Sequence, residues 1–248
     1  MDIVKNKVVF ISGASSGIGR ATSEAFASCG ARMILGCRDK GDCEEIIKEY
    51  TAKGVLAKEV YGDLSNLEGL SDIASGVINA WGDLDILVNN AATISPMARI
   101  EKIDLDDLDK CMRINVTAQI ALISKVWGSL AKNRGKVINI LSGASKNPRL
   151  GWTAYCASKA ALHMVTKQVC LEGEELGIKS FGFSPGLVNT KMQKEIRNSG
   201  INEISFLPES DMVDPKEPAK CIFLLASGKY DKYNGQFLDI RDDLFANG

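Results

Sequence analysis

Short apolar runs alternate with longer amphipathic stretches along almost the whole chain. The apolar runs, most of them rich in Val, Ile or Leu, cover residues 7–12, 31–36, 55–61, 84–89, 136–141 and 178–184. Helical patterns lie between them at residues 17–29, 42–53, 66–81, 105–132 and 153–176. Apolar runs without polar alternation are typical of parallel strands covered on both faces. The alternation therefore predicts an α/β fold, a doubly wound parallel sheet of the Rossmann type with helices on both faces.

The pattern indicates one domain over residues 1–248, because no Pro/Gly/Ser-rich linker or internal repeat divides the chain. The exception to the regular alternation is residues 187–216, which we expect to form a helix-and-loop excursion outside the sheet. Loops at the carboxyl ends of parallel strands often hold substrates, so this segment is a candidate for substrate binding. A last helix at residues 218–225 and an edge strand at 236–240 complete the predicted fold.

Composition and charge exclude several classes of function. The 248 residues include 30 Lys and Arg against 31 Asp and Glu, which gives a formal net charge of −1. A sequence-independent nucleic-acid binder needs a basic surplus that this chain lacks. No apolar run approaches the roughly 20 residues of a membrane span, and the N-terminus lacks the pattern of a secretion signal. We expect a cytoplasmic protein with no membrane or nucleic-acid partner.

The cysteines and the histidine give no indication of a metal site. The seven cysteines include no C-x-x-C pair, and their spacing is typical of neither a disulfide framework nor a zinc site. The single histidine, His163, excludes any multi-histidine site, and its helical neighbours favour a structural role. We therefore predict no bound metal.

A glycine-rich turn with a G-x-x-x-G-x-G pattern follows the first predicted strand directly. Missing side chains permit a sharp turn and close approach of a phosphate, and the next helix offers free N–H groups at the positive end of its dipole. A turn needed only for packing also uses glycines, so the position after the strand is what favours dinucleotide binding. The cofactor-binding candidates in this turn are Gly13, Ser15, Ser16, Gly17, Ile18 and Gly19.

We expect the end of the second strand to set cofactor choice. An NAD enzyme usually has an acidic residue there, which accepts hydrogen bonds from the adenosine ribose. Here the position is followed by Arg38, which can pair with a ribose 2′-phosphate, and Ser15 can hydrogen-bond the same group. The alternative is an ordinary surface arginine. We favour NADP(H).

Of the five tyrosines, only Tyr155 has a lysine four residues later, Lys159. Positions i and i+4 share one helix face, so the ammonium is expected to lower the phenol pKa from about 10 toward neutrality. Carbonyl reduction needs such a proton donor, because the oxygen is protonated as hydride arrives. The pair alone is weak evidence, but Ser142 lies just after the fifth strand and its hydroxyl could reach the same oxygen.

Together these motifs resemble those of the short-chain dehydrogenase/reductase family over essentially the whole chain. The resemblance implies a catalytic tetrad of Asn115, Ser142, Tyr155 and Lys159. It places Asp63 against adenine and residues 185–190 along the nicotinamide. The cofactor contacts that it implies outside the glycine-rich turn are Asp63, Leu64, Asn90, Ala91, Tyr155, Lys159, Pro185, Gly186, Val188 and Thr190.

The implied roles agree with the chemistry of the side chains. Tyr155 is expected to act as the acid, while Ser142 orients and polarises the carbonyl. Lys159 would tune Tyr155 and hydrogen-bond the nicotinamide ribose, and Asn115 would hold a water that connects Lys159 to solvent. A satisfied buried amide is the alternative for Asn115. Members of this family often associate through four-helix interfaces, so the resemblance implies a homodimer or homotetramer.

The second half of the chain is most similar to one branch, the sepiapterin reductases and bacterial benzil reductases. Residues 142–148, 151–160, 184–193 and 235–240 carry this resemblance. It implies that Asp239 anchors the substrate, with a solvated aspartate at a strand end as the alternative. Trp152 and Met192 could line an apolar substrate pocket, or pack in the core or a lid. The substrate candidates are thus Ser142, Trp152, Tyr155, Met192 and Asp239.

These observations predict an NADP(H)-dependent reductase that converts a vicinal dicarbonyl compound to an α-hydroxyketone. One alternative is a 3-oxoacyl thioester reductase or polyol dehydrogenase on the same fold. The chain lacks the Asp-Gly-Gly ending of many family members, which argues against the commonest acyl-chain reductases. The other alternative is a non-catalytic NADP-binding regulator, for which a broken tetrad would be expected.

Overall fold

The computed structural model describes residues 2–246 and contains one sheet of seven parallel strands. In chain order the strands are β1 (Val8–Ser12), β2 (Arg32–Cys37), β3 (Ala57–Tyr61), β4 (Ile86–Asn89), β5 (Lys136–Ile140), β6 (Lys179–Ser184) and β7 (Phe237–Asp239). Their spatial order is β3-β2-β1-β4-β5-β6-β7. The order reverses between β1 and β4, and this reversal is where doubly wound sheets bind ligands.

Helices cover both faces of this sheet. In chain order they are α1 (Gly17–Ser28), α2 (Glu44–Ala52), α3 (Leu70–Trp81), α4 (Leu105–Met112), α5 (Ala118–Asn133), α6 (Thr153–Glu172), α7 (Lys191–Ser199), α8 (Lys216–Ala226) and α9 (Asp243–Ala246). One apolar cluster joins the sheet to α1, α2 and α8, and a second joins it to α3, α5 and α6.

Strand β1 shows why the apolar runs are unbroken. Val9 and Ile11 pack into the first cluster, while Val8 and Phe10 pack into the second. Successive side chains of a strand point to opposite faces, so a strand buried on both faces needs apolar residues at every position. The prediction of a doubly wound α/β sheet is confirmed.

The helix predicted at residues 105–132 contains a turn of a different type. α4 ends at Met112, Arg113–Thr117 form a π-helical turn, and α5 begins at Ala118. The predicted helical extent is confirmed, but the π-helical turn within it was not foreseen, because a single wide turn hardly changes the apolar periodicity along a sequence. Turns of this kind are common at functional sites.

The structure also changes the predicted end of α6 and shows the elements that residues 187–216 form. The helix expected to reach residue 176 ends at Glu172, before a turn in which Gly177 has a φ of +72°. Between β6 and α8 the chain forms α7 and two short 3₁₀ turns, Glu203–Phe206 and Glu209–Asp211. Among residues 2–246, no helix is long and apolar enough to cross a membrane.

Candidate active site

A cleft of about 630 Å³ runs along the carboxyl ends of the strands. Most of the site residues predicted from the sequence line it: Gly13, Ser15, Ser16, Gly17, Ile18, Arg38, Asp63, Leu64, Asn90, Ala91, Ser142, Trp152, Tyr155, Lys159, Pro185, Gly186, Val188, Thr190 and Met192. Within the described residues, Gly19, Asn115 and Asp239 do not line the cleft. Its volume is ordinary for a cofactor or small-molecule site.

The glycine-rich turn is fastened to the end of β4. The Asn90 side-chain amide donates to the carbonyl oxygens of Ser12 and Gly13 at 2.9 and 3.2 Å. The Ser12 hydroxyl accepts from the backbone amides of Asn90 and Ala91, each at 3.0 Å. A Cβ added to Gly19 would lie 2.1 Å from the Gly13 carbonyl oxygen. Gly19 therefore allows the helix to pack on the turn, while Ser12 is a positioning residue that the sequence did not single out.

The first turn of α1 meets the requirements of an anion site. Within the described part of the chain, no side chain caps the Ser16 end of this helix, and its first turn contains no acidic residue. Its first backbone amides and the positive end of its dipole are therefore available in the cleft beside Ser15 and Gly17. These groups fit the pyrophosphate of a nicotinamide dinucleotide.

Arg38, Asp42 and Asp63 line one end of the cleft, called the adenosine end here because the family resemblance places Asp63 against adenine. Arg38 pairs with Asp39 at 3.1 Å, with 73% of the Arg38 side chain exposed, and this pairing raises the pKa of the guanidinium. Exposed ion pairs of this kind contribute little, so the guanidinium can exchange Asp39 for another anion. The backbone amide of Ser65 donates to Asp63 at 2.8 Å and lowers the pKa of that carboxyl.

Three predicted catalytic side chains converge at the opposite end. Tyr155 and Lys159 project from α6 and are only 6% and 2% exposed. Ser142, which follows β5, lines the same cleft as Tyr155, and its hydroxyl acts to lower the pKa of the phenol. The Lys159 ammonium donates to the carbonyl oxygen of Ile140 at 2.7 Å. The spacing of Tyr155 and Lys159 along α6 and the position of Ser142 after β5 thus bring the three side chains to the same end of the cleft.

The pKa values of this group correct the prediction made for Tyr155. Burial raises the pKa of Tyr155 to about 12, despite the opposing effect of the Ser142 hydroxyl. Burial also lowers the pKa of Lys159 to about 8. The expected lowering of the phenol pKa was wrong because desolvation of the buried phenol disfavours the phenolate and is the largest effect on this group. Tyr155 therefore stays protonated at neutral pH, as a proton donor must.

Asn115 lies in the π-helical turn, and protein groups satisfy its side chain. Its amide oxygen accepts from the Thr93 backbone at 2.8 Å, and its amide nitrogen donates to the Thr93 carbonyl and the Ser158 hydroxyl at 2.8 and 3.0 Å. These bonds tie the segment after β4 to α6. The role of holding a water remains a prediction.

Apolar side chains surround Tyr155. Trp152 packs edge-on against Tyr155 with ring centroids 5.8 Å apart, and it is 5% exposed. A third apolar cluster contains Tyr155, and its other members that line the cleft are Ile94, Trp152, Leu187, Met192 and Ile196. This end of the cleft therefore suits an apolar ligand that carries an acceptor for Tyr155.

Asp239 lies at the end of β7 with its carboxylate already engaged. Arg241 donates to its two oxygens at 2.6 and 2.9 Å. Burial opposes ionisation, but hydrogen bonds from Arg241 outweigh it and lower the pKa of Asp239. The structure does not bring this residue to the cleft, and its carboxylate forms a local ion pair with Arg241.

The lowered pKa of Lys159 predicts a pH dependence of stability. Between pH about 8 and 10.5 the unfolded chain keeps the Lys159 proton that the folded protein has lost. The unfolded state binds more protons in that window, so this residue makes the free energy of unfolding rise with pH, by at most about 3 kcal/mol. Urea unfolding across the window should show a shallower rise in Lys159→Met than in the wild type.

Lys125→Met is the matched control, because Lys125 is exposed on α5. It should retain the slope of the wild type. Equal slopes in the wild type and Lys159→Met would contradict the assignment of a buried lysine with a lowered pKa.

Comparisons with known proteins identify the family. A model of the short chain dehydrogenase family matches residues 7–200. Two benzil reductases that form (S)-benzoin are similar over nearly their full lengths. The protein from Bacillus subtilis (strain 168) is 32% identical, with 96% of this chain and 100% of that protein covered. The protein from Bacillus cereus is 31% identical, with 87% and 92% covered.

A solved structure shares the fold. L-Sorbose reductase from Gluconobacter frateurii, in complex with NADPH and L-sorbose, superposes with a TM-score of 0.86 at 27% identity, covering 96% of this chain and 97% of that one. The resemblance found in the sequence is confirmed. This chain belongs to the short-chain dehydrogenase/reductase family and is an oxidoreductase that acts on CH–OH or C=O groups.

Proposed function

We propose that the protein is an NADPH-dependent reductase that converts an apolar vicinal dicarbonyl compound to an α-hydroxyketone. The observation that carries this proposal is the meeting of Tyr155 and Ser142 with apolar walls, including Ile94, Trp152 and Ile196. Such walls offer few partners for the hydroxyl groups of a sugar, whose burial without hydrogen bonds is costly. Similarity to two benzil reductases supports the same substrate class.

In this proposal Tyr155 donates a proton to the carbonyl oxygen while Ser142 hydrogen-bonds the same oxygen. When bound, the reduced nicotinamide supplies the hydride. The Lys159 ammonium lies 5.7 Å from the centroid of the Tyr155 ring, where its charge stabilises the phenolate that remains after proton transfer. The apolar walls exclude water and strengthen these interactions.

The preference for NADPH rests on Arg38 and Ser15, which both line the cleft. A ribose 2′-phosphate would replace Asp39 as the partner of the guanidinium. Asp39 and Asp42 lie beside Arg38 and also raise its pKa, so the guanidinium keeps its charge for this role.

A comparison of substrates tests the proposed reaction. We expect a higher kcat/KM for benzil or sepiapterin than for an acetoacetyl thioester, followed by NADPH oxidation, or for a polyol, followed by NADP⁺ reduction. Preference for the thioester or the polyol would favour the alternative reductase or dehydrogenase. Tight NADPH binding without turnover of any of these compounds would favour a regulator.

Replacing Tyr155 with Phe tests the acid. Removal of the hydroxyl should lower kcat by roughly 100- to 10,000-fold, the usual contribution of a positioned acid, and leave the Kd for NADPH nearly unchanged. Kinetics and a fluorescence titration of NADPH measure the two effects. Tyr233→Phe, which alters a partly exposed tyrosine outside the cleft, is the control. Substantial activity in Tyr155→Phe would mean that another group donates the proton.

Replacing Arg38 with Asp tests cofactor choice. Loss of the pairing and added repulsion should raise the Kd for NADPH by about 10- to 100-fold and affect NADH far less. Titration with both dinucleotides gives the ratio. Arg99→Asp, which reverses an exposed charge paired with Glu101, should leave that ratio unchanged. An unaltered preference in Arg38→Asp would place the 2′-phosphate elsewhere.

A further inference from the structure

Two buried thiols meet directly behind the loop that carries Arg38. Cys37 is the last residue of β2, and Cys43 immediately precedes α2. Their Sγ atoms are 2.8 Å apart, and the residues are 6% and 0% exposed. All seven cysteines lie among the described residues and are free thiols. The spacing of five intervening residues had given no reason to pair these two.

Glu59, on the neighbouring strand β3, holds the two thiols together. One carboxylate oxygen accepts from the Cys43 backbone amide at 2.9 Å and lies 3.3 Å from the Cys37 sulfur. The other oxygen accepts from the Gly41 backbone amide at 2.9 Å. The carboxylate thus fixes the end of the loop against β3, and the sulfurs meet as a consequence.

A disulfide suits this cluster better than a metal ion. The donor atoms of Cys37, Cys43 and Glu59 lie within 4.8 Å of one another. Two thiolates on one zinc ion would stand roughly 3.8 Å apart, given Zn–S bonds of about 2.3 Å in a tetrahedron. A disulfide bond of about 2.05 Å instead requires a small further approach of the sulfurs. Both Glu59 oxygens already accept backbone amides, and the cluster provides no fourth ligand among the described residues.

We propose that Cys37 and Cys43 form a redox-active pair, which a small hydroperoxide converts to a disulfide and which a nicotinamide dinucleotide in the cleft protects. The proposed disulfide rests only on the contacts among Cys37, Cys43 and Glu59 and not on the proposed cofactor site. Protection rests on the proposed cofactor site, because Cys37 lines the cleft together with Arg38. Cys37 lines the cleft and is 6% exposed as a residue, whereas Cys43 is 0% exposed, so in this proposal the oxidant reaches the pair through Cys37.

The oxidation proceeds in two displacements. The Cys37 sulfur attacks one peroxide oxygen, the O–O bond breaks, and the Cys37 proton passes through Glu59 to the departing hydroxide, which leaves as water. The Cys43 sulfur then attacks the Cys37 sulfenic acid and expels its hydroxyl, which takes the Cys43 proton and leaves as a second water. Two thiols lose two electrons and two protons, and one hydrogen peroxide becomes two water molecules.

The reduced pair is expected to react slowly. Contact with Cys43, burial and contact with Glu59 each raise the pKa of the Cys37 thiol. Since the thiolate is the reactive form, the pair stays reduced until an oxidant small enough to enter the cleft has been present for some time. Hydrogen peroxide is the probe that satisfies this requirement.

The first experiment exposes the reduced protein to hydrogen peroxide, alkylates the remaining thiols after denaturation and maps the peptides by mass spectrometry. We expect a cross-linked peptide that joins residues 37 and 43, a loss of two titratable thiols, and reversal by dithiothreitol. Cys37→Ser and Cys43→Ser should each lack this cross-link. Cys29→Ser, which removes a partly exposed thiol at the end of α1, should retain it. Absence of the 37–43 cross-link from oxidised wild type would overturn the proposal.

The second experiment repeats the oxidation with NADP⁺ at about 100 times its measured Kd. The rate of cross-linking should fall by up to about 100-fold, because only the protein with an empty cleft reacts. Equal rates with a filled cleft would overturn the protection. If titration shows that NADP⁺ does not bind, the proposed cofactor site and the protection fail together, while the first experiment still decides whether the disulfide forms.

Discussion

Parallel pairing of the strands brings all their carboxyl ends to one edge of the sheet. The chain must cross the sheet through a helix after each strand, so the loops at this edge come from segments far apart in the sequence. The reversal between β1 and β4 leaves a gap there, and the hydrogen bonds between Ser12 and Asn90 hold its two sides in place. The glycine-rich turn, the catalytic side chains and the loop after β6 all depend on this arrangement.

Burial has opposite consequences for the two ionisable groups at the catalytic end. It keeps the Tyr155 phenol protonated and makes the Lys159 ammonium easier to deprotonate, since a desolvated charge is costly in both cases. The bond from Lys159 to the Ile140 carbonyl offsets part of that cost and fixes the side chain beneath Tyr155. In the proposed mechanism the protein thus presents a neutral donor in apolar surroundings, with the Lys159 ammonium 5.7 Å from the centroid of the Tyr155 ring.

The end of β2 gives two consecutive residues different environments. Cys37 is buried beside Cys43, whereas most of the Arg38 side chain is exposed at the mouth of the cleft. Neighbouring side chains of extended backbone point to opposite sides. Arg38, which is proposed to select the cofactor, and the Cys37 thiol are therefore next to each other in the chain but lie in different surroundings. In the two proposals, oxidation of Cys37 and binding of the 2′-phosphate by Arg38 therefore involve the same short loop.

The sequence by itself determined the α/β class, the turn around Gly13 and the position of Tyr155 and Lys159 on one helix face, because these depend on periodicity and on spacing within one element. Tertiary structure decided the rest. The π-helical turn at Asn115 leaves almost no trace in the apolar pattern, and the pKa of Tyr155 depends on burial by residues distant in the chain. Asp239 pairs with Arg241, and Cys37 meets Cys43 only because Glu59 on another strand holds the loop between them. Contacts between elements set the burial and the partners of each group, and these quantities cannot be read from local sequence.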